Sequence, residues 1–248
     1  MIKKKNYTVK ILLSMIFISL HINRAYGGVI NMDVNGNAVE TLEILMLLTI
    51  ITLLPSILIM MTSFTRVIIV LSFLKNALGL QQTPPNQVMV GIAIFLTLFI
   101  MSPVIDEINV NAYEPYKNEE ITQEEFYTRA SEPLKVFMLK QTGKSELKMF
   151  TDMSKDEKIR STQNLEKLPL TIIIPSFLTS ELKRAFIMGF LLFIPFLIID
   201  MIVSSILMSM GMMMLPPVMI SLPFKLLLFV IVDGWSLLFK TIVTSFNF

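Results

Sequence analysis

The chain contains no cysteine, so neither a disulfide framework nor a thiolate metal site can be built from it. Histidine is almost as scarce: the single copy, His21, lies in a segment that reads as a removable leader. Without His or Cys in the rest of the chain, Ser/His/Asp and Cys/His nucleophile systems and the usual zinc constellations have no members. No enzymatic chemistry is therefore expected, and no catalytic residue, metal or cofactor is assigned. Charge is thin as well, at 16% of residues against 54% hydrophobic, where soluble domains average about 25% charged. The formal charge of +2 is small, and its mixed signs argue against a nucleic-acid stripe. A chain this apolar and this poor in charge belongs in a bilayer.

What is present begins with residues 1–27, a pattern for a cleavable signal peptide. Lys3, Lys4, Lys5 and Lys10 form a basic start, Ile11 to Leu20 a short apolar run, and Ala25 and Gly27 supply small residues at a cut site. Cleavage there would leave the following residue outside the cytoplasm. Residues 28–105 read as a first helical hairpin, with apolar runs at Ile44 to Met61 and Val88 to Ile105 and a kink expected at Pro55. The connection, 62–87, carries Arg66 and Lys75 and no acid, so the positive-inside rule places it in the cytoplasm.

Residues 106–184 hold most of the chain's acids and read as a helical domain on the extracytoplasmic side. Thr122 and Glu125 have capping-box spacing, Ser131 before Pro133 suggests a second helix start, and Gly143 a helix end. Leu134, Phe137 and Met138 share a helical face, and Phe150 is a candidate to pack with them or with a neighbouring subunit. The paired acids Glu119/Glu120 and Glu124/Glu125 read as a solvated face. "TGKS", Thr142 to Ser145, resembles a phosphate-loop ending but has Met138 where the first glycine is required, so no nucleotide site follows.

Residues 185–248 read as a second helical hairpin around a Met-rich loop, 208–217, with Pro195, Pro216, Pro217 and Pro223 as breaks. Asp200 and Lys225 lie roughly 16 and 12 Å of helix from that turn, so they fall at similar depth on adjacent legs. Three roles stay open for these intramembrane charges: a structural ion pair, a water-lined path, or a proton-relay carboxylate. Asp233, beside Trp235, is a third charge in this hairpin and equally an interfacial marker; Arg66 is counted with them. Met210, Met212, Met213 and Met214 are the unusual feature. Three consecutive methionines point to different sides of any helix, so a loop that turns several toward one axis accounts for them better than an amphipathic stripe. Their flexible thioethers would make a deformable apolar collar; plain gap-filling is the competing reading. The fold class expected is mostly α, with about four kinked membrane helices in hairpins plus the extracytoplasmic helical domain.

Several stretches together, Met61 to Val104, "FMLKQT", "SELKRAF", "IPFLIID", "GMMMLPP" and "LPFKLLLFVIVDGW", strongly resemble the FliP family of the flagellar type III export gate. The related injectisome family is similar through the membrane segments; the leader and the external domain favour the flagellar branch. The resemblance implies a pore-forming homo-oligomer, pentamer-like, with FliQ and FliR, at the flagellar basal body in the bacterial inner membrane. FlhA and FlhB are the other gate membrane proteins it implies as partners, and unfolded rod, hook and filament subunits the cargo. It implies a gasket role for Met212, Met213 and Met214 with Met210, assembly contacts at Phe137, Phe150 and Glu181, and an arrangement raised out of the bilayer plane. Lys75 stands where the family prefers arginine. An ion or solute pathway protein is the alternative from another class.

Overall fold

The computed structural model describes residues 38–80, 83–160, 165–212 and 215–247. The signal-peptide pattern, residues 1–27, lies outside them, as do Met213 and Met214. Among the described residues the secondary structure is helical, with no strand. Two helices are long and apolar enough to cross a membrane, or up to four if each of two bent helix pairs is one span. The chain divides into two compact units, 1–51 and 52–248. In the first, the early part of α1 (Ala38–Met61) is described, with Leu45, Leu48 and Ile51 exposed.

The second unit is organised around α8 (Leu170–Ser209), 40 residues long. It runs through Pro175 and Pro195 without ending, so Pro195 is not the break expected of it. Flanking apolar residues hold the helix together on both sides of the missing amide. Beside α8 lies α2 (Phe64–Ala77), which buries Arg66, Val67, Val70, Leu71, Leu74 and Ala77 on one face. On α8 the buried small residues include Ala185 and Gly189, the latter against Phe73 of α2. Small residues let membrane helices approach closely; a Cβ on Gly189 would fall 2.4 Å from the Phe73 ring.

The two helices run in the same sense. Arg66 meets Glu181, Phe73 abuts Gly189, and the Ala77 carbonyl meets Lys225, the partner of Asp200. Residues 62–87, read as a connecting loop, thus contain a packed helix, and Arg66 on it bonds Glu181 and Ser245. The far end of this helix also meets the second hairpin, where Val218 sits 3.4 Å from a Cβ placed on Gly79. The hydrophobic stripe of α2, spaced for a helix, is the physical reason it packs rather than loops.

α3 (Asn86–Ile108) continues through a π-helical segment, Asn109–Tyr113, into α4 (Glu114–Lys117). The boundary at 105/106 therefore falls inside continuous helix, and that at 184/185 inside α8. α5 (Gln123–Gln141) opens on the expected capping box, Thr122 accepting from the Glu125 amide and Glu125 accepting from the Thr122 amide. It does not restart at Ser131: that hydroxyl donates to the Thr128 carbonyl and the helix passes through Pro133. Burial of Pro133, Phe137 and Met138 on one face outweighs the lost hydrogen bond. α6 (Lys144–Asp152) follows, with Gly143 at its N-cap rather than as a helix end alone. α6 docks on α8 through the Gly143 amide to Ser180 Oγ, 2.9 Å, and Lys183 Nζ to Glu146 Oε1, 2.8 Å. A short α7 (Glu157–Arg160), α9 (Pro217–Ile231) and α10 (Gly234–Thr244) complete the chain, the last two bent by 65° at their junction. Pro223 lies inside α9 without breaking it.

Candidate functional site

The second hairpin is closed by backbone chemistry at its tip. α8 ends in a Schellman motif: the Gly211 amide donates to the Met208 carbonyl at 3.1 Å and the Met212 amide to the Leu207 carbonyl at 3.0 Å. Gly211 has φ +73, in the left-handed region where a Cβ is unfavourable. Pro216 and Pro217 then start α9. Met208, Met210 and Met212 project from this tip at 62%, 66% and 44% exposure. Apolar side chains so exposed at a turn are not core filling. Met219, which the sequence reading passed over, is exposed on the first turn of α9.

Below the tip a polar cluster ties the legs together. Lys225 Nζ donates to Asp200 Oδ2 at 2.6 Å and to the Ala77 carbonyl at 3.0 Å. Ser221, one turn before Lys225, donates its hydroxyl to Asp200 Oδ1. The lysine is buried and Asp200 retains 26% side-chain exposure. Three elements therefore converge on one ammonium: α9, α8 and the C-terminal carbonyls of α2, whose helix dipole favours a cation. Of the three roles left open for this pair, direct contact is what the geometry offers. Ser221 had a signal in the sequence, its i−4 spacing from Lys225.

A second ion pair sits at the other end of α2. Arg66 donates from Nε to Glu181 Oε2 at 2.8 Å and from Nη2 to Oε1, and both side chains are fully buried. The fork geometry suits a guanidinium and a carboxylate. Glu181, expected at a subunit contact, is thus occupied inside its own chain. Phe137 is also internal, 3% exposed and packed against Phe177 and Phe246. Phe150 is half-buried on α6 and keeps a surface to offer. Asp233 joins neither cluster: it is exposed at the α9–α10 break, with φ 49. Among the described residues no group of three or more His, Cys, Asp or Glu is placed to hold a metal.

Lys75, near the end of α2, donates to Asn86 Oδ1 at 2.9 Å across the Leu78 to Pro85 connection. Outside the spans, the Lys183 hydrogen bond pulls the Glu146 carboxyl from an ordinary 4.5 down to about 2, with Ser145 helping.

Comparison with known proteins places this geometry. A family profile described as "FliP family" matches residues 47–242. "Flagellar biosynthetic protein FliP" of Bacillus subtilis (strain 168) is 54% identical over 210 residues, covering 85% of this chain and 94% of its own length. The protein of the same name in Aquifex aeolicus (strain VF5) is 51% identical over 86% of this chain and 88% of its own. That of Pectobacterium carotovorum subsp. carotovorum is also 51% identical, covering 86% and 82%.

Proposed function

The chain belongs to the FliP family, and from that membership we propose that it is the structural, pore-forming subunit of the flagellar type III export gate. It passes unfolded rod, hook and filament subunits across the inner membrane at the basal body. It does so as a ring-like homo-oligomer with FliQ and FliR, in contact with FlhA and FlhB, with residues 106–184 toward the periplasm. The mechanism is steric, with no chemical step.

One observation carries the reading: the exposed methionine tip is held by a rigid support. Asp200, Lys225 and Ser221 fix the two legs, the Ala77 carbonyl ties them to α2, and the Schellman turn sets where the chain reverses. A rigid base carrying flexible apolar side chains suits a seal that blocks ions and yields to a polypeptide. Met210 and Met212, with the adjoining Met213 and Met214, form that seal when copies converge on an axis. The relatives' shared name, flagellar in each case, favours this branch over a virulence injectisome. An ion pathway is less favoured, because the lysine already neutralises the half-exposed Asp200 and the other charges are elsewhere.

The test is secretion of hook and filament subunits by a strain lacking the gene, with and without its restoration. Cargo retained in the cell and released on restoration supports an export role; normal secretion without the gene refutes it. Alanine at Met212, Met213 and Met214 together should then leave the complex assembled but leaky to small ions, and unchanged ion permeability in an assembled complex would remove the seal.

A further inference from the structure

Ser245, Phe246 and Asn247 follow α10 and lie against two other elements, α2 and α5. Arg66 on α2 uses one edge for Glu181; its remaining nitrogen, Nη1, donates to the Ser245 carbonyl at 2.9 Å and to its hydroxyl at 2.8 Å. The Phe246 ring lies over the guanidinium, 3.7 Å from Cζ to centroid, and stacks on Phe137 of α5 at 6.3 Å. Gln141, the last residue of α5, is fully buried. Its Nε2 donates to the Asn247 carbonyl at 2.5 Å, and its Oε1 accepts from the Asn247 amide at 3.3 Å. A side-chain amide here pairs with backbone as a neighbouring strand would.

We infer that Ser245–Asn247 is a clasp, a segment received by a built site on α2 and α5 that locks α5 to the helical body only once α10 is in place. The receptor's polar groups explain why. With the segment withdrawn, the Nη1 edge of Arg66 and Gln141 Nε2 lose these partners, and Gln141 Oε1 keeps only Arg184 Nη1 at 3.4 Å; buried polar groups without partners are costly. The cation face of Arg66 would also lose its aromatic cover. Sequence order sets the timing: Arg66 and Glu181 can meet as soon as α8 exists, whereas the site stays incomplete until the last helix is positioned. The clasp also carries topological information, because Ser245–Asn247 and the end of α5 must lie on the same side of the membrane.

The absence of cysteine makes the test clean. In the full chain, Lys140→Cys with Asn247→Cys, two positions lining one cavity beside the clasp, should join in high yield through a short bis-maleimide, while Lys140→Cys with Lys240→Cys should not. In a separate chain, Phe246→Ala should raise the rate of tryptic cleavage after Lys144 at least tenfold, and the 140–247 cross-link made in that background should restore protection. A 140–247 yield no higher than the control, in protein with unchanged Trp235 emission, would overturn the clasp. So would a cleavage rate unaltered by Phe246→Ala. If Phe246→Ala fails to fold, the cross-link in the otherwise native chain still decides.

Discussion

Breaking the Asp200–Lys225 pair from its two sides should give unequal costs. Asp200→Asn leaves a buried ammonium with a neutral amide, the Ala77 carbonyl and no counter-charge. Removing one partner of a buried pair in this way costs roughly 3–5 kcal/mol. Lys225→Met leaves the opposite problem in a milder form: Asp200 keeps the Ser221 hydroxyl and 26% of its side-chain surface. The cost there should be nearer about 1–2 kcal/mol, the range for a polar group that loses one bond and stays partly hydrated. The double variant removes the stranded charge and should be more stable than Asp200→Asn alone. The assay is denaturant unfolding in mixed micelles, followed by the fluorescence of Trp235. It is the chain's single tryptophan and packs edge-on against Phe229 of α9, with centroids 5.4 Å apart, so it reports on the leg that carries Lys225. Equal destabilisation by the two single variants, or a double variant worse than Asp200→Asn, would refute the reasoning. Either result would mean that the ammonium is hydrated or partnered differently from the geometry described.

Four further outcomes follow from particular contacts. Gly234→Ala should disrupt the α9–α10 junction, because a Cβ there falls 2.2 Å from the Phe229 ring; Gly211→Ala meets no atom within 4 Å and should cost only the left-handed backbone penalty, about 1–2 kcal/mol. The same Trp235 unfolding curve separates the two. Ser63→Ala should be neutral or stabilising by up to about 1 kcal/mol in thermal unfolding, since the buried Ser63 hydroxyl meets no hydrogen-bond partner among the described residues and its helical backbone angles keep it from capping α2. Glu146 has a depressed folded-state pKa of about 2, so its contribution is full above the ordinary carboxylate range and is lost as pH falls from about 4.3 toward 2. Lys183 is 60% exposed, which limits the effect to about 1 kcal/mol or less; hydrogen exchange in α6 should speed up across that window, and Lys183→Met should reduce the change, leaving the smaller part due to Ser145. Arg66→Lys should destabilise more than a conservative change suggests, by about 2 kcal/mol or more, because one ammonium cannot serve both Glu181 edges, Ser245 and the Phe246 face; chemical denaturation of the two proteins compares them directly.

Much of this protein was legible in one dimension. Apolar runs announce α1, α3 and α8 because a bilayer needs about 20 consecutive apolar residues, a property of composition alone. Thr122 and Glu125 form their capping box because both partners lie within one turn. Asp200 and Lys225 could be matched in depth because both are counted from one turn along regular helices. Gly211 and the two prolines likewise mark the tip from local backbone preference. Where the reading failed, the deciding contact was distant. Ser131 looks like a helix start locally, but α5 continues because Pro133, Phe137 and Met138 are buried against other helices.

Sequence by itself determined the membrane character, the long apolar helices and the position of the methionine turn, since each depends on residues close together along the chain. Only the tertiary structure decided that α2 packs alongside α8 in the same sense and that Arg66 pairs with Glu181, 115 residues away. It alone places Ser245–Asn247 against Arg66 and Gln141. The physical reason is that a buried charge specifies that it needs a partner, not which one; that choice belongs to the close packing of α8 on α2, as where Gly189 meets Phe73, which brings the two helices close enough for these groups to meet.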